Sequence, residues 1–231
     1  MNILISIIIP TYNCGNKIKI TLDSILAQNY KYYECIIVDG ESYDNTLMIA
    51  KAYQTKENFN LCIFSEKDHG IYDAMNKGVK IANGEYVYFL GAGDYFCNDH
   101  VLSEISLKLR KDVVYGFVKT ENGKIKHKMN IFTSFCYRPI CHQAIFSRRN
   151  LLINHPFDLQ YKYVADQAWI FEVFSKRYRF QYIDLPIAYY DLFGYSSSKM
   201  VLDEEKREIL DAKKRFFPKQ SSLIKFIRTY F

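Results

Sequence analysis

Acidic side chains follow apolar runs closely at several points in the first hundred residues. Asp39, Asp68 and Asp94 each lie within four residues of the end of such a run. Carboxylate oxygens accept hydrogen bonds from the N–H and O–H groups of a ligand, and they are the ligands that Mg²⁺ and Mn²⁺ prefer. These carboxylates could therefore recognise a polar ligand and bind a hard cation.

The apolar runs alternate with helical patterns, and together they indicate how these carboxylates are positioned. The predicted strands are 4–9, 35–38, 61–64 and 85–90, and the predicted helices between them are 18–29, 44–54 and 70–82. Strands that are apolar on both faces and joined by helices favour a parallel sheet covered on both sides. Ligands of such sheets bind beyond the carboxyl ends of the strands. The residues predicted to meet there are 11–13, 39–42, 66–68 and 91–94.

The second half of the chain has a different pattern. Apolar segments at 113–118 and 125–132 flank Glu121-Asn122-Gly123 and predict a hairpin. A short segment at 142–146 follows, and the further predictions are a helix at 164–177, a strand at 180–183 and a polar helix at 197–217.

Composition restricts the class of protein. With 231 residues and 49% hydrophobic content, the chain is long enough for one large domain, or one domain with a small annex, and is not disordered. The net charge of +6 equals the six basic residues, unaccompanied by any acidic one, between Lys213 and Phe231. The body of the chain is therefore neutral, and we expect no nucleic-acid partner.

Several common sites are absent from the sequence. There is no Gly-x-Gly-x-x-Gly after the first strand, no phosphate-binding loop with Lys-Ser/Thr, and no Gly-x-Ser-x-Gly. The six cysteines form no Cys-x-x-Cys pair, so we expect reduced structural thiols, with Cys35 and Cys62 in buried strands. No apolar run reaches the roughly 18 residues of a membrane span, and the first residues lack signal-peptide features. We therefore expect a cytoplasmic protein.

The last fourteen residues, 218–231, predict a basic amphipathic helix. Its apolar arc consists of Leu223, Ile224, Phe226, Ile227, Tyr230 and Phe231. Such a helix is typical of a segment that lies on an anionic membrane surface. The alternative is a terminal helix that packs on its own domain or on a second subunit.

Four segments together resemble the family-two glycosyltransferases of GT-A fold, of the bacterial surface-polysaccharide type. They are Ser6–Asn13 (Ser-Ile-Ile-Ile-Pro-Thr-Tyr-Asn), Ile36–Ser42 with Asp44 and Thr46, Glu66–Gly78, and Glu85–Asp94 with Phe96. These matches cover residues 5–96 densely. Beyond residue 100 the resemblance narrows to His142-Gln143 and Ala165-Asp166.

The resemblance implies a GT-A-like α/β fold: a mostly parallel twisted sheet with helices on both faces, a smaller acceptor-side region and a C-terminal amphipathic helix. We expect residues 1–100 to bind a nucleotide sugar, 101–217 to form the acceptor-side half, and 218–231 to form the basic helix.

The implied activity is an inverting transfer of a sugar from a UDP-sugar donor to a saccharide or polyprenyl-linked acceptor. It would take place at the inner face of the cytoplasmic membrane, with the protein bound peripherally. The alternative function is a membrane-recruited protein that binds a nucleotide sugar without transferring it. Nucleotidyl transfer is disfavoured, because no glycine-rich, basic triphosphate loop follows the first strand.

The resemblance also implies roles for residues of the donor site. Asp39 would accept the imide N–H of uracil, and a base without that donor would leave the carboxylate unpaired. The other donor-binding residues implied are Pro10, Thr11, Tyr12, Asn13, Asp68, Asp73, Lys77 and Gly93. Of these, Tyr12 would stack on the base, and Lys77 would either face phosphate or pair with Asp73. Asp39 alternatively serves only a turn.

Asp94 matches the final carboxylate of the family's Asp-x-Asp metal motif, but Ala92 occupies the earlier acidic position. The implied cofactor is Mn²⁺ or Mg²⁺, held by Asp94 with the donor's phosphate oxygens. Asp166 matches the family's general base, and its alternative is to stabilise a helix N-terminus. His142 would orient the acceptor or complete the metal shell, or it is simply structural.

Overall fold

The computed structural model describes residues 3–125, 140–190 and 199–218. The strands in these residues are β1 (Ile5–Thr11), β2 (Tyr33–Asp39), β3 (Leu61–Ser65), β4 (Tyr86–Phe89), β5 (Tyr95–Phe96), β6 (Val113–Thr120), β7 (Gly123–Ile125), β8 (Ile145–Arg148) and β9 (Phe180–Tyr189). The helices are α1 (Ile18–Leu26), α2 (Thr46–Gln54), α3 (Ile71–Ile81), α4 (Val101–Ser106), α5 (Arg149–Asn154), α6 (Ala165–Ser175) and α7 (Lys199–Phe216). A 3₁₀ turn at His142–Ala144 precedes β8.

The first four strands form the predicted parallel half of the sheet, in the order β3-β2-β1-β4. β1 and β2 are buried along their whole length, as expected of strands covered on both faces. Their register pairs the last residue of each strand, Thr11 with Asp39. The register thus brings the polar residues that follow β1 and β2 to one edge of the sheet.

The later strands make the sheet mixed. β8 is antiparallel to both β4 and β6, β9 is parallel to β6, and β5 is antiparallel to β9. The predicted hairpin is present as β6 and β7, although residues 126–132 lie outside the described part of the chain. The strand predicted at 180–183 extends to Tyr189, because β9 pairs with both β6 and β5. The predicted α/β architecture is present, and among the described residues of this half the parallel pairing is that of β6 with β9.

Hydrophobic cores lie on both faces of the sheet, which confirms the predicted layering. Along β1, Ile8 belongs to the same core as residues of α3 and α6, whereas Ile7 and Ile9 belong to the core that contains residues of α1 and α4. This alternation follows from the two-residue period of a strand, which points successive side chains to opposite faces. Helix α7 contributes Ile209 and Ala212 to the same core as α6.

Gly78 on α3 sets how closely this helix approaches the sheet. A Cβ at this position would lie 2.5 Å from Cγ2 of Ile8 and 3.2 Å from Cγ2 of Val38. Alanine is normally favoured over glycine in a helix by about 0.5–1 kcal/mol. Overpacking a tight core costs more, about 1–3 kcal/mol. The clash with β1 therefore makes the net effect of an added methyl group on stability unfavourable.

We therefore expect Gly78→Ala to lower the free energy of unfolding by about 1–2 kcal/mol, measured by urea denaturation. Lys80→Ala, an exposed position on the same helix, is the control and is expected to leave stability nearly unchanged. A Gly78→Ala variant as stable as the parent would contradict this account of the α3–sheet contact.

The cysteine predictions are confirmed for one strand and wrong for another. Cys35 is buried in β2, and burial raises the pKa of its thiol well above the ordinary range. Cys62 is exposed, because β3 is the edge strand of the sheet. An apolar run by itself does not distinguish a central strand from an edge strand.

The polar helix predicted at 197–217 is α7, which ends just before Pro218. Of the amphipathic segment predicted at 218–231, all residues after Pro218 lie outside the described part of the chain. Among the described helices, none combines the length and the apolar character needed to cross a bilayer.

Candidate active site

Asp39 lies at the carboxyl end of β2 and is completely buried. Its Oδ1 accepts hydrogen bonds from Thr11 Oγ1 (3.1 Å) and Ser42 Oγ (2.6 Å). Its Oδ2 accepts hydrogen bonds from Ser42 N (2.9 Å) and Ser65 Oγ (3.0 Å). Four donors match the acceptor capacity of a carboxylate, so a uracil imide would have to replace one of the three hydroxyl bonds.

The loops after β1 and β2 are tied together beside Asp39. Asn13, whose backbone is left-handed at φ 49°, donates its N–H to Ser42 Oγ and accepts from the N–H of Tyr43 through Oδ1. Tyr12 and Tyr43 are 60% and 84% exposed, and their rings meet edge to face at 6.3 Å. Two aromatic rings are thus exposed to solvent at the edge of the sheet where Asp39 lies. The predicted donor-binding residue Pro10, by contrast, is buried within β1.

Asp68 belongs to the same edge. Its Oδ1 accepts the N–H of Gly70 at 2.9 Å, immediately before α3. Its carboxylate also lies against Gly40, where an added Cβ would stand 2.4 Å from Asp68 Oδ2. The loop after β2 and the loop before α3 are therefore in direct contact.

Asp73 and Lys77 are satisfied within their own loop and helix. Lys77 Nζ donates to Lys67 O at 2.7 Å and forms ion pairs with Glu66 at 2.9 Å and Asp73 at 3.4 Å. Asp73 also accepts the N–H of His69 at 3.0 Å. Burial raises the pKa of Asp73, but the hydrogen bonds from His69 and Lys77 outweigh it and lower the pKa. The pairing of Lys77 with Asp73 is thus present, while a role in donor binding stays a prediction.

Asp94 is buried in a tight turn after β4. Its N–H bonds to Gly91 O at 3.0 Å, and Gly93 takes a φ of +105°, a conformation that favours glycine. Thr21 on α1 holds the turn, since its hydroxyl donates to Asp94 O (2.7 Å) and accepts from Gly93 N (2.9 Å). Asp94 Oδ2 accepts a hydrogen bond from Gln143 Nε2 at 3.0 Å.

This donor set fits a cation that is shared with a ligand. Within the described residues, no group of three or more His, Cys, Asp or Glu side chains could hold a metal ion. Mg²⁺ is commonly bound through one or two carboxylates together with substrate phosphates and waters. Asp94 fits the protein part of such a site, and Ala92 provides no second carboxylate.

The 3₁₀ turn brings two carboxylates into one site. Gln143 is buried, its carbonyl accepts Tyr88 Oη at 2.8 Å, and its side chain contacts Asp94. The preceding residue, His142, places Nδ1 2.8 Å from Asp166 Oδ2. Adjacent residues thus contact the candidate metal ligand and the candidate base.

Asp166 lies in the first turn of α6 and is buried. Its Oδ1 accepts Tyr72 Oη at 2.9 Å and Gln167 N at 2.8 Å, while Oδ2 faces His142. Burial raises the pKa of Asp166, but these hydrogen bonds and the charge of His142 outweigh it and lower the pKa. Burial and the negative charge of Asp166 raise the pKa of Tyr72 well above its ordinary value, so Tyr72 remains a donor.

Unused hydrogen-bonding capacity lies beside Asp166. In residues 3–125, 140–190 and 199–218, Gln167 Oε1 is the buried side-chain polar atom without a hydrogen-bond partner. Asp166 and His142 also line a cavity of about 10 Å³ whose other walls are mostly apolar. A water or a hydroxyl of a ligand would satisfy the amide oxygen of Gln167.

The predicted residues thus lie along one edge, connected by contacts. Gly40, the residue after Asp39, contacts Asp68 in the loop before α3. Helix α3 carries Tyr72, which donates a hydrogen bond to Asp166. His142 and Gln143, whose contacts are given above, connect Asp166 to Asp94.

No role is predicted from the sequence for Tyr43, Tyr72, Gln143 or Gln167. Tyr72 and Gln143 lie within segments that resemble the family, and Tyr43 and Gln167 each adjoin one, which is the signal that could have identified them.

Comparison with known proteins gives the same assignment of family. The model of the family described as Glycosyl transferase family 2 matches residues 6–195. A PGL/p-HBAD biosynthesis glycosyltransferase of Mycobacterium bovis (strain BCG / Pasteur) is 35% identical over 210 residues, which are 87% of this chain and 82% of that protein.

Two further similarities cover less than two thirds of the other protein. The Escherichia coli UDP-Glc:alpha-D-GlcNAc-diphosphoundecaprenol beta-1,3-glucosyltransferase WfaP is 35% identical over 49% of this chain and 45% of its own length. The mannosyltransferase PcManGT of Pyrobaculum calidifontis, solved in complex with GDP-Man and Mn²⁺, superposes with a TM-score of 0.73 at 19% identity. That superposition covers 91% of this chain and 64% of the other, and it shows the fold.

The family model spans most of the chain, and a relative above 30% identity covers most of it as well. The strand-end carboxylates and the two-sided sheet agree with this assignment. The chain therefore belongs to glycosyl transferase family 2 and is a glycosyltransferase.

Proposed function

We propose that this enzyme transfers a sugar, with inversion, from a UDP-sugar to a saccharide or polyprenyl-linked saccharide in the synthesis of a cell-surface glycoconjugate. The observation that carries the proposal is that adjacent residues of one turn, His142 and Gln143, contact Asp166 and Asp94 respectively. A leaving diphosphate and an attacking hydroxyl need groups on either side of the same anomeric carbon. The names of the Mycobacterium and Escherichia relatives support the product class, and the latter supports UDP and a lipid diphosphate.

In this proposal, residues 1–100 bind the donor. Asp39 recognises uracil by exchanging one hydroxyl hydrogen bond for the imide N–H, while Thr11 and Asn13 keep the loops around the base in place. Tyr12 stacks on the base, and the exposed ring of Tyr43 encloses it from the neighbouring loop. Asp68, in the loop before α3, and Asp73 and Lys77, in its first two turns, lie nearer the sugar and the phosphates.

Stabilisation of the protein by donors tests the assignment of the nucleotide. UDP-, GDP- and TDP-sugars are compared by thermal shift with and without Mn²⁺. A ligand at 100 times its Kd adds about 2.7 kcal/mol to the free energy of unfolding, which is readily measured. We expect UDP-sugars to raise Tm most. Equal stabilisation by guanine or thymine donors would refute the role given to Asp39.

Tyr43→Ala is expected to weaken UDP binding roughly 5- to 150-fold, because stacking of a base on an aromatic ring contributes about 1–3 kcal/mol. Titration calorimetry with UDP measures this change. Tyr32→Ala is a matched control, since Tyr32 is also an exposed tyrosine in an edge-to-face pair, with Tyr30, but precedes β2 at the opposite end of the sheet. Equal UDP affinity in the Tyr43 variant and the control would exclude Tyr43 from the base site.

A divalent ion, Mn²⁺ or Mg²⁺, would be held by Asp94 with the phosphate oxygens of the donor. When bound, it supplies positive charge that stabilises the leaving diphosphate. Gln143 keeps the Asp94 carboxylate in its orientation. The turn formed by Gly93 brings the backbone close to the position proposed for the ion and the diphosphate.

Residues 101–217 form the acceptor side in this proposal. The acceptor hydroxyl attacks the anomeric carbon as the bond to the diphosphate oxygen breaks on the opposite face, and its proton passes to the Asp166 carboxylate. Asp166 is suited to this role because a carboxylate is ionised at neutral pH and can accept a proton, and because His142 and Tyr72 fix its orientation. Gln167 Oε1 would accept a hydrogen bond from another hydroxyl of the acceptor.

We also propose that the protein is cytoplasmic and binds the inner face of the cytoplasmic membrane through its basic C-terminal residues, 218–231. A lipid-linked acceptor would be presented at that surface. The charge pattern of the sequence supports this placement, because anionic lipids attract clustered Lys and Arg.

A second function, donor binding without transfer, is favoured by one observation. Ala92 removes the first carboxylate of the family's metal motif, and the described residues contain no alternative cluster of ligands. Release of UDP from a UDP-sugar, with a saccharide acceptor or with water, distinguishes the two functions: a transferase turns over the donor, whereas a binding protein does not.

A further inference from the structure

We propose that Glu208, on helix α7, is a positioning residue for Asp166. This inference rests on the base role proposed above for Asp166. Glu208 lies beyond residue 195, where the match to the family model ends. The structure therefore assigns to the active site a part of the chain that the family comparison does not cover.

Glu208 binds three consecutive backbone N–H groups. Its Oε1 accepts Lys162 N at 2.9 Å, and its Oε2 accepts Tyr163 N at 2.9 Å and Val164 N at 3.2 Å. These residues immediately precede α6, at an end of the helix where backbone N–H groups have no partner within the helix. Hydrogen bonds to an ionised carboxylate are stronger than neutral ones, so Glu208 holds this segment firmly.

The segment that Glu208 holds also contacts Tyr72, the residue whose hydroxyl bonds Asp166. Tyr72 Oη lies 3.0 Å from Tyr163 O and 2.9 Å from Asp166 Oδ1, so one hydroxyl bridges the segment and the carboxylate. Val164 is the N-cap of α6, and its carbonyl accepts Ala168 N at 2.8 Å. Displacement of residues 163–164 would therefore move both the turn that carries Asp166 and the hydroxyl that orients it.

Helix α7 has other contacts that keep it docked without Glu208. Ile209 and Ala212 are buried in the core shared with α6. Asp211 accepts Tyr161 Oη at 2.9 Å, and Arg215 pairs with Asp158 at 2.8 Å. A change at Glu208 is thus expected to loosen the segment before α6 while the helix remains in place.

The test uses Glu208→Ala and Glu208→Gln, with Asp203→Asn as the control. Asp203 is an exposed carboxylate on the same helix, paired with Lys206 at 3.1 Å. We expect kcat to fall roughly 10-fold in Glu208→Ala, with the donor KM within twofold, because small misplacements of a catalytic group reduce turnover strongly. Glu208→Gln keeps one acceptor oxygen and is expected to lie between Glu208→Ala and the parent.

A double-mutant cycle separates positioning from general loss of stability. If Glu208 acts through Asp166, Glu208→Ala has no further effect on kcat in an Asp166→Asn background. The same fractional loss in both backgrounds, or unchanged kcat in both Glu208 variants, would overturn the proposal. If Glu208→Ala does not fold, Glu208→Gln takes its place in the cycle.

The proposed function is tested separately in the same set. Full turnover by Asp166→Asn alone would refute the base role and, with it, the positioning of that base. A loss in Asp166→Asn combined with independent effects of Glu208 would refute only the role of Glu208.

Discussion

Asp166→Asn is expected to lower turnover by about 10²–10⁴-fold while UDP affinity stays within a few-fold of the parent. Asparagine has nearly the shape of aspartate, and its amide oxygen can still accept the hydrogen bond from Tyr72. It cannot take up the proton of the acceptor hydroxyl, however. Steady-state release of UDP from a UDP-sugar and calorimetric UDP binding measure the two quantities.

The control for this variant is Asp112→Asn. Asp112 is a partly buried carboxylate that pairs with Arg179 at 3.1 Å and with Arg148 at 3.9 Å. It lies just before β6 and its contacts do not reach the proposed site, so the change is expected to affect stability and not turnover. If the Asp166→Asn and Asp112→Asn enzymes have the same turnover rate, Asp166 has no part in the reaction.

Asp94→Asn is expected to reduce metal-supported turnover by about 10²–10³-fold, because a cation at a leaving diphosphate supplies several kcal/mol of charge stabilisation. Asparagine keeps an oxygen for the hydrogen bond from Gln143, so the turn after β4 is expected to remain. The charge that attracts the cation is lost. Turnover as a function of Mn²⁺ concentration and Mn²⁺ binding to the protein–UDP complex, followed by electron paramagnetic resonance, are the measurements.

An exposed carboxylate close in sequence serves as the control for Asp94. Asp99→Asn removes the same charge five positions later, outside the turn. We expect it to leave the Mn²⁺ dependence of turnover unchanged. Mn²⁺ binding that is as tight in Asp94→Asn as in Asp99→Asn would show that the cation is held elsewhere.

The first half of the fold could be predicted because its signals are local. Buried parallel strands are continuously apolar, so the runs that became β1, β2 and β4 are visible without any partner. Strand ends follow from the same runs, and the register then brings Thr11 and Asp39 to one edge. The exposure of Cys62 could not be predicted in this way, since a strand's position in the sheet depends on its neighbours.

The chain's own sequence thus determined the alternation of strands and helices, the two-sided sheet and the edge at which the carboxylates gather. Only the tertiary structure decided which of those carboxylates are already saturated and which groups hold them. Four donors surround Asp39, Gln143 contacts Asp94 across 49 positions, and Tyr72 contacts Asp166 across 94. Such contacts arise from the packing of elements distant in sequence, whereas local periodicity reports only which face of each element is apolar.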